Sequence, residues 1–228
     1  MAGLQRGVPG PCRAMGETAD QTPRGLSIFS LLAIIVTGLI PIWGVTNYGW
    51  DATQIVVLFW LETLLVGIFT WLRVRDAERN AAQDEPFQLS VFFLIHYGLF
   101  WLVHGVLTWL LVLVFMPGGG WNAAWLSIFG DRSFWLALIG IGLMLTMMYW
   151  RDWARPQAWR GADPAVEMFR PYGRVVALHL AVIGGFWIVS LSGGARNLVI
   201  LLCVAKMLID VGVSLWQAGF KVRLEAVR

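Results

Sequence analysis

TQIVVLFWLETLLVGIFTWLRV, residues Thr53 to Val74, carries one acidic side chain, Glu62, at its middle and no other charge before Arg73. About 20 apolar residues are enough to cross the hydrocarbon core of a bilayer, so the stretch reads as a membrane-spanning helix. A carboxyl in that setting is costly. It must face the interior of a helix bundle and meet a partner there, which makes Glu62 the first candidate for a functional residue.

Five further runs have the same character: Leu26–Tyr48, Gln88–Met116, Phe134–Trp150, Val175–Leu191 and Asn197–Phe220. Pro41 is expected to bend or end the first, and Pro117 with Gly118, Gly119 and Gly120 ends the third. The chain is 58% hydrophobic and only 14% charged, where a soluble domain carries about a quarter. Its mean hydropathy is +0.67. Six spans in 228 residues leave no room for a separate soluble domain. The expected architecture is all-α, a polytopic transmembrane bundle over residues 26–220, with a flexible tail at 1–25 and a short C-terminal tail at 221–228. Residues 1–24, with Arg6, Pro9, Pro11, Arg13 and Arg24, read as a tail and not as a cleaved signal, leaving the first span as an uncleaved anchor.

Fourteen lysines and arginines fall on one side of this frame, in the tail, in Arg73–Arg79, in Arg151–Arg174 and at the C-terminus. Only Arg132 and Arg196 fall on the other, so the positive-inside rule places both termini in the cytoplasm. The same count accounts for the net charge of +3 through topology, with no nucleic-acid footprint. Trp43, Trp50, Trp121, Trp125 and Trp135 are expected in an outer interfacial belt, and Trp71, Trp150, Trp153, Trp159 and Trp216 in an inner one. The Arg151–Arg174 loop alternates arginines with Trp153, Trp159, Met168, Phe169 and Tyr172, a pattern suited to anionic headgroups. Cys12 in the tail and Cys203 within a span are not expected to pair. Ala177, Ala181 and Gly185 would let a neighbouring helix approach the fifth span closely.

Within the last span Cys203, Lys206, Asp210, Ser214 and Gln217 follow steps of three and four, one stripe along a helix. Lys206 and Asp210, one turn apart, can neutralise each other. The third span presents Ser90, Tyr97, His104 and Thr108 on one stripe, with His96 about 80° away from His104 around the axis. Measured in residues from the cytoplasmic end, Glu62, His96, His179 and Asp210 lie within about 10 Å of one another in height. They are the expected site, with Lys206 as counter-charge and His104 as a deeper relay.

Two histidines and two carboxylates suit a transition metal, and His96 with His179 suit a bis-histidine haem, but no His pair at helical spacing and no Glu-x-x-His occurs. Nucleophile motifs, phosphate-binding glycine loops and dinucleotide fingerprints are absent too. Trp60-Leu61-Glu62, His96-Tyr97-Gly98 with His104-Gly105, Tyr172-Gly173-Arg174 with His179, and Lys206 through Asp210 together resemble an uncharacterised family of prokaryotic six-helix membrane proteins, a domain of unknown function. The resemblance covers Leu26 to Gly219 and implies an integral membrane protein, with no activity attached; the expected location is the cytoplasmic membrane of a prokaryote. A likeness of residue types to intramembrane metal hydrolases is not matched in spacing. The expected function is binding of an ion, a proton or a small polar solute. The alternatives are an intramembrane metal- or haem-dependent enzyme and a structural or accessory subunit.

Overall fold

The computed structural model describes residues 28–81, 88–115, 125–126, 128–173, 175–176, 184 and 196–227, and all regular structure among them is helical. The long helices are α1 (Ile28–Asn47), α2 (Ala52–Asn80), α3 (Leu89–Phe115), α4 (Arg132–Tyr149) and α5 (Arg196–Val227). Between α4 and α5 come a π-helical turn at Trp150–Ala154, a 3-10 turn at Ala158–Gly161 and helical residues 164–173. Five helical segments have the length and apolar composition to cross a membrane. The expected fifth span, Val175–Leu191, lies outside the described residues apart from 175–176 and 184, and so do both tails up to Ser27 and at Arg228.

Helix α1 does not end at Pro41, which is buried within it. The proline has no N–H to continue the ladder, but the helix is held by packing along its buried face of Gly38, Pro41, Gly44 and Val45. Helix α2 starts with a capping box. Asp51 accepts from the N–H groups of Thr53 and Gln54, at 2.8 and 3.1 Å, and the Gln54 side chain accepts from the Asp51 N–H. This satisfies donors that a helix end cannot pair by itself.

Contacts at the helix ends set the directions. Ser30 of α1 donates to Asp152 at 2.6 Å, and Asp76 of α2 accepts from Tyr149 and Trp153. Glu78 of α2 accepts from the Ser90 N–H of α3. The start of α1, the end of α2, the start of α3 and the end of α4 therefore share one end of the bundle, which also holds Arg73, Arg75, Arg79, Arg151, Arg155, Arg160 and Arg170. At the opposite end Trp50 donates to Asp131 and Ser133, and Arg196 donates to the carbonyls of Val45 and Thr46, both at 2.6 Å. Helix α5 thus begins beside the last turn of α1 and packs along it.

Two tryptophans expected in the interfacial belts are interior pins instead. Trp50 is 3% exposed and Trp153 likewise, each with its indole N–H committed to a carboxylate. An indole that finds an anionic acceptor is better placed inside than at a headgroup surface. Trp43, Trp135, Trp150 and Trp216 do face outward. So do Leu94, Ile95, Leu99, Leu102, Val103 and Val106 of α3, an apolar surface suited to lipid and not to water.

Helices α2 and α3 are joined by a reciprocal clasp. Trp60 and Trp101 stack at 4.5 Å with 8° between ring planes, and each indole N–H donates to the other's backbone carbonyl at 3.1 Å. Where lipid removes any hydrophobic drive between helices, such packing and hydrogen bonding do the joining. Gly105 makes room for the clasp. A Cβ there would lie 2.8 Å from the Trp60 ring, so Gly105→Ala is expected to cost about 1–3 kcal/mol, read as a lowered unfolding midpoint in mixed micelles. An unchanged midpoint would show that the clasp yields freely.

Asp131, at the start of α4, supplies a second test. Burial raises its pKa, but hydrogen bonds from Ser133 and Trp50 more than offset this and hold the carboxyl below its ordinary value. A depressed folded-state pKa contributes stability above the unfolded value, about 3.9, and loses it as pH falls through the lower folded value. The Trp50 environment should therefore loosen on acidification below about pH 4, seen in tryptophan fluorescence, and Asp131→Asn should remove that step.

Candidate functional site

The sequence stripe on α5 is realised as a buried face: Cys203, Lys206, Asp210 and Ser214 are all buried. Lys206 is 5% exposed, and its ammonium lies among three carboxylate oxygens. It donates to Glu62 Oε1 at 2.6 Å and Oε2 at 2.7 Å, and lies 2.9 Å from Asp210 Oδ2. The Phe59 ring stands 5.1 Å away. One turn on, Ser214 donates to the Asp210 carbonyl at 2.7 Å.

Helical spacing produces the arrangement. Asp210 follows Lys206 by one turn and meets it along α5, while Glu62 reaches across from α2. An ammonium has three donors, and here it faces three oxygens, the satisfaction that a buried charge requires. Carboxylate oxygens grouped in a low-dielectric interior can hold a cation: a proton, a metal ion or the ammonium of a solute.

Of the expected site, Glu62 and Asp210 come together through Lys206, which stands between them as counter-charge. His96 lies elsewhere, exposed on α3 with its ring stacked on Phe92 and 6.0 Å from Tyr172. Among the described residues it makes no hydrogen bond or ion pair with the cluster. His104 sits on the partly buried side of α3, its Nδ1 2.8 Å from the Phe100 carbonyl. His179 and the side chain of Gln217 lie outside the described residues. No group of three or more His, Cys, Asp or Glu positioned for a metal occurs among the described residues. Glu62 and Asp210, the two carboxylates of the expected metal set, are occupied by the Lys206 ammonium.

Sequence reasoning missed a second set of polar groups at the arginine-rich end. Asp76 accepts from Tyr149 at 2.6 Å and Trp153 at 3.0 Å, and buried Glu167 lies 3.0 Å from Arg170 and 4.0 Å from Arg73. Arg73 also stacks over Trp153 at 5.5 Å. Their residues fall in charged runs that periodicity reads as topology signals, and the π-helical turn that carries Asp152 and Trp153 has no sequence mark of its own.

The charge count of the cluster makes distinct predictions for its three members. Lys206→Met leaves two facing carboxyl groups without their cation and should cost about 3–5 kcal/mol, seen as failure to accumulate in membranes. Glu62→Gln and Asp210→Asn each leave Lys206 with one carboxylate partner, so either single variant should accumulate almost normally. The double variant strands Lys206 and should resemble Lys206→Met. Equal losses for all four would show that charge balance does not govern the cluster.

No curated protein and no solved structure matches the chain. The sequence pattern of a family of unknown function (DUF6498) matches residues 21–222, nearly the whole chain and every helix that frames the cluster. The chain belongs to that family.

Proposed function

We propose that the protein is a six-span protein of a prokaryotic cytoplasmic membrane, with both termini in the cytoplasm, that binds a cation at Glu62, Lys206 and Asp210. The observation that carries the reading is the buried ionic cluster: an ammonium held between carboxyl groups of two helices, inside apolar surroundings. The captured species is a proton or a small cation. Either can exchange on a carboxyl group held inside apolar helices.

The span count is supported by the directions of the helices. Helix α4 ends at the arginine-rich end and α5 begins at the other. That arrangement is what one further crossing between them would give, and Val175–Leu191 has the length and composition for it. Orientation is supported by the seven described arginines at the first end against Arg132 and Arg196 at the other. Arg151, Arg155 and Arg160 are exposed, which supports contact of that end with anionic headgroups.

A purely structural role has its own supporting observation, since the Lys206 donors are fully matched by three oxygens. Infrared difference spectroscopy of the protein in bilayers separates the two. A binding site shows the carbonyl band of a protonated carboxyl that changes with pH or added sodium and is lost in Glu62→Gln and in Asp210→Asn. A structural lock shows no such band under any condition in which the protein stays folded.

A further inference from the structure

Among the arginines of its end, Arg73 is turned against the protein while Arg151, Arg155 and Arg160 point outward. Its side chain is 22% exposed and stacks over the Trp153 ring at 5.5 Å. Trp153 is itself buried and fixed by its hydrogen bond to Asp76, so the guanidinium is backed by a rigid ring. A guanidinium carries five N–H donors in a fixed fork. None of those of Arg73 makes a hydrogen bond among the described residues. The carboxylate oxygen it faces, Glu167 Oε2, lies 4.0 Å away, beyond hydrogen-bond reach. Asp76 and Asp152 are committed elsewhere, Asp76 to Tyr149 and Trp153 and Asp152 to Ser30.

Glu167 gives a second observation. It is 4% exposed, and its Oε2 accepts no hydrogen bond although Arg170 Nη1 stands 3.0 Å from it. The carboxylate thus draws two guanidinium groups to one spot by charge, without using the donors of Arg73. Both arginines stay partly open to the surroundings. A pair of forks held in this way is suited to a phosphate group, whose oxygens accept two N–H groups from each guanidinium.

The helical residues 164–173 supply an apolar flank. Asp163 caps them by accepting from the Ala165 N–H at 2.9 Å. Glu167 and Met168 turn inward, while Val166 and Phe169 are exposed beside Arg170. A short helix with apolar groups outward and an arginine next to them is the arrangement of a segment lying at the boundary between headgroups and acyl chains.

Resting on the reading of the arginine-rich end as a membrane face, and independent of the Lys206 cluster, we propose that Arg73 and Arg170 bind the phosphate of a membrane phospholipid whose acyl chains lie against Val166 and Phe169. Trp153 and Glu167 are positioning residues for the pair. The exposed Arg151, Arg155 and Arg160 attract anionic headgroups only in the diffuse way of any basic surface.

Native mass spectrometry of the delipidated full chain in detergent, titrated with phosphatidylglycerol, tests this. One lipid should bind saturably. Arg73→Gln should weaken it about tenfold, and so should Arg73→Lys, which keeps the charge but loses the fork. Arg160→Gln should change it by less than about twofold. Circular dichroism reports whether each variant is folded, and Arg170→Gln, on the surface helix, repeats the test if Arg73→Gln is not. Equal weakening by Arg160→Gln, or full binding by folded Arg73→Gln and Arg170→Gln, overturns the proposal. Displacement of the lipid by an equal concentration of glycerol phosphate or inorganic phosphate assigns the site to a soluble phosphate and overturns the lipid. Release of the unaltered protein from membranes by alkaline carbonate, without detergent, defeats the membrane reading itself.

Discussion

The Lys206 ammonium, held by Glu62 of α2 and Asp210 of its own helix, is the constraint on which the interior of this bundle depends. A bare ammonium in hydrocarbon is untenable, so Lys206 cannot be placed without at least one of the two carboxylates beside it. Once Lys206 must reach Glu62, α5 is fixed in rotation, and its Cys203–Ser214 face turns inward. The small side of α1 then closes on it, with Gly38 against Met207, and Arg196 fastens the far ends of the two helices. Aliphatic packing alone would tolerate rotation of either helix; three hydrogen-bonding oxygens around one nitrogen do not.

Helix α2 is the common neighbour. It meets α3 through the Trp60–Trp101 clasp and through Tyr97, whose hydroxyl donates to the Thr63 carbonyl at 2.8 Å. It meets α4 at both ends, through Gln54 and Asp131 at one and Asp76 with Tyr149 at the other. Glu62 thus projects from the most firmly held helix, and a side chain on a rigid element keeps its geometry. Both ends of the bundle use the same device, an aspartate that accepts from tryptophan. Asp131 pairs with Trp50 and Asp76 with Trp153, each pair closing an end of the interior against the interface.

Much of this was legible in the residues. The step of three and four along Cys203, Lys206, Asp210 and Ser214 named the buried face of α5, and the same step on α3 named Ser90, Tyr97 and Thr108, all buried. The span limits of α1 to α4 came within a few residues at most ends, because apolar runs bounded by charge leave little choice. The α2 and α5 helices run on past Val74 and Phe220, since helical propensity continues where hydropathy stops. The meeting of Glu62 with Lys206 was not legible. It joins residues 144 positions apart, and depth alone allowed His96 an equal claim until the rotation of α3 turned it toward Phe92 and Tyr172. Trp50 and Trp153 were misread for a related reason: an indole serves an interface and an interior carboxylate equally well, and only tertiary contact decides.

The most direct test of the central interaction is available because Lys206 and Lys221 are the only lysines in the chain. Solid-state NMR of the protein in bilayers, with labelled lysine side-chain nitrogen and labelled Asp and Glu carboxyl carbons, would measure the dipolar coupling of the Lys206 nitrogen to its neighbours. Strong coupling to two carboxyl groups, one lost in Glu62→Gln and the other in Asp210→Asn, is the predicted result. Coupling to one carboxyl group only, or a Lys206 nitrogen in rapid exchange with bulk water, would contradict the account.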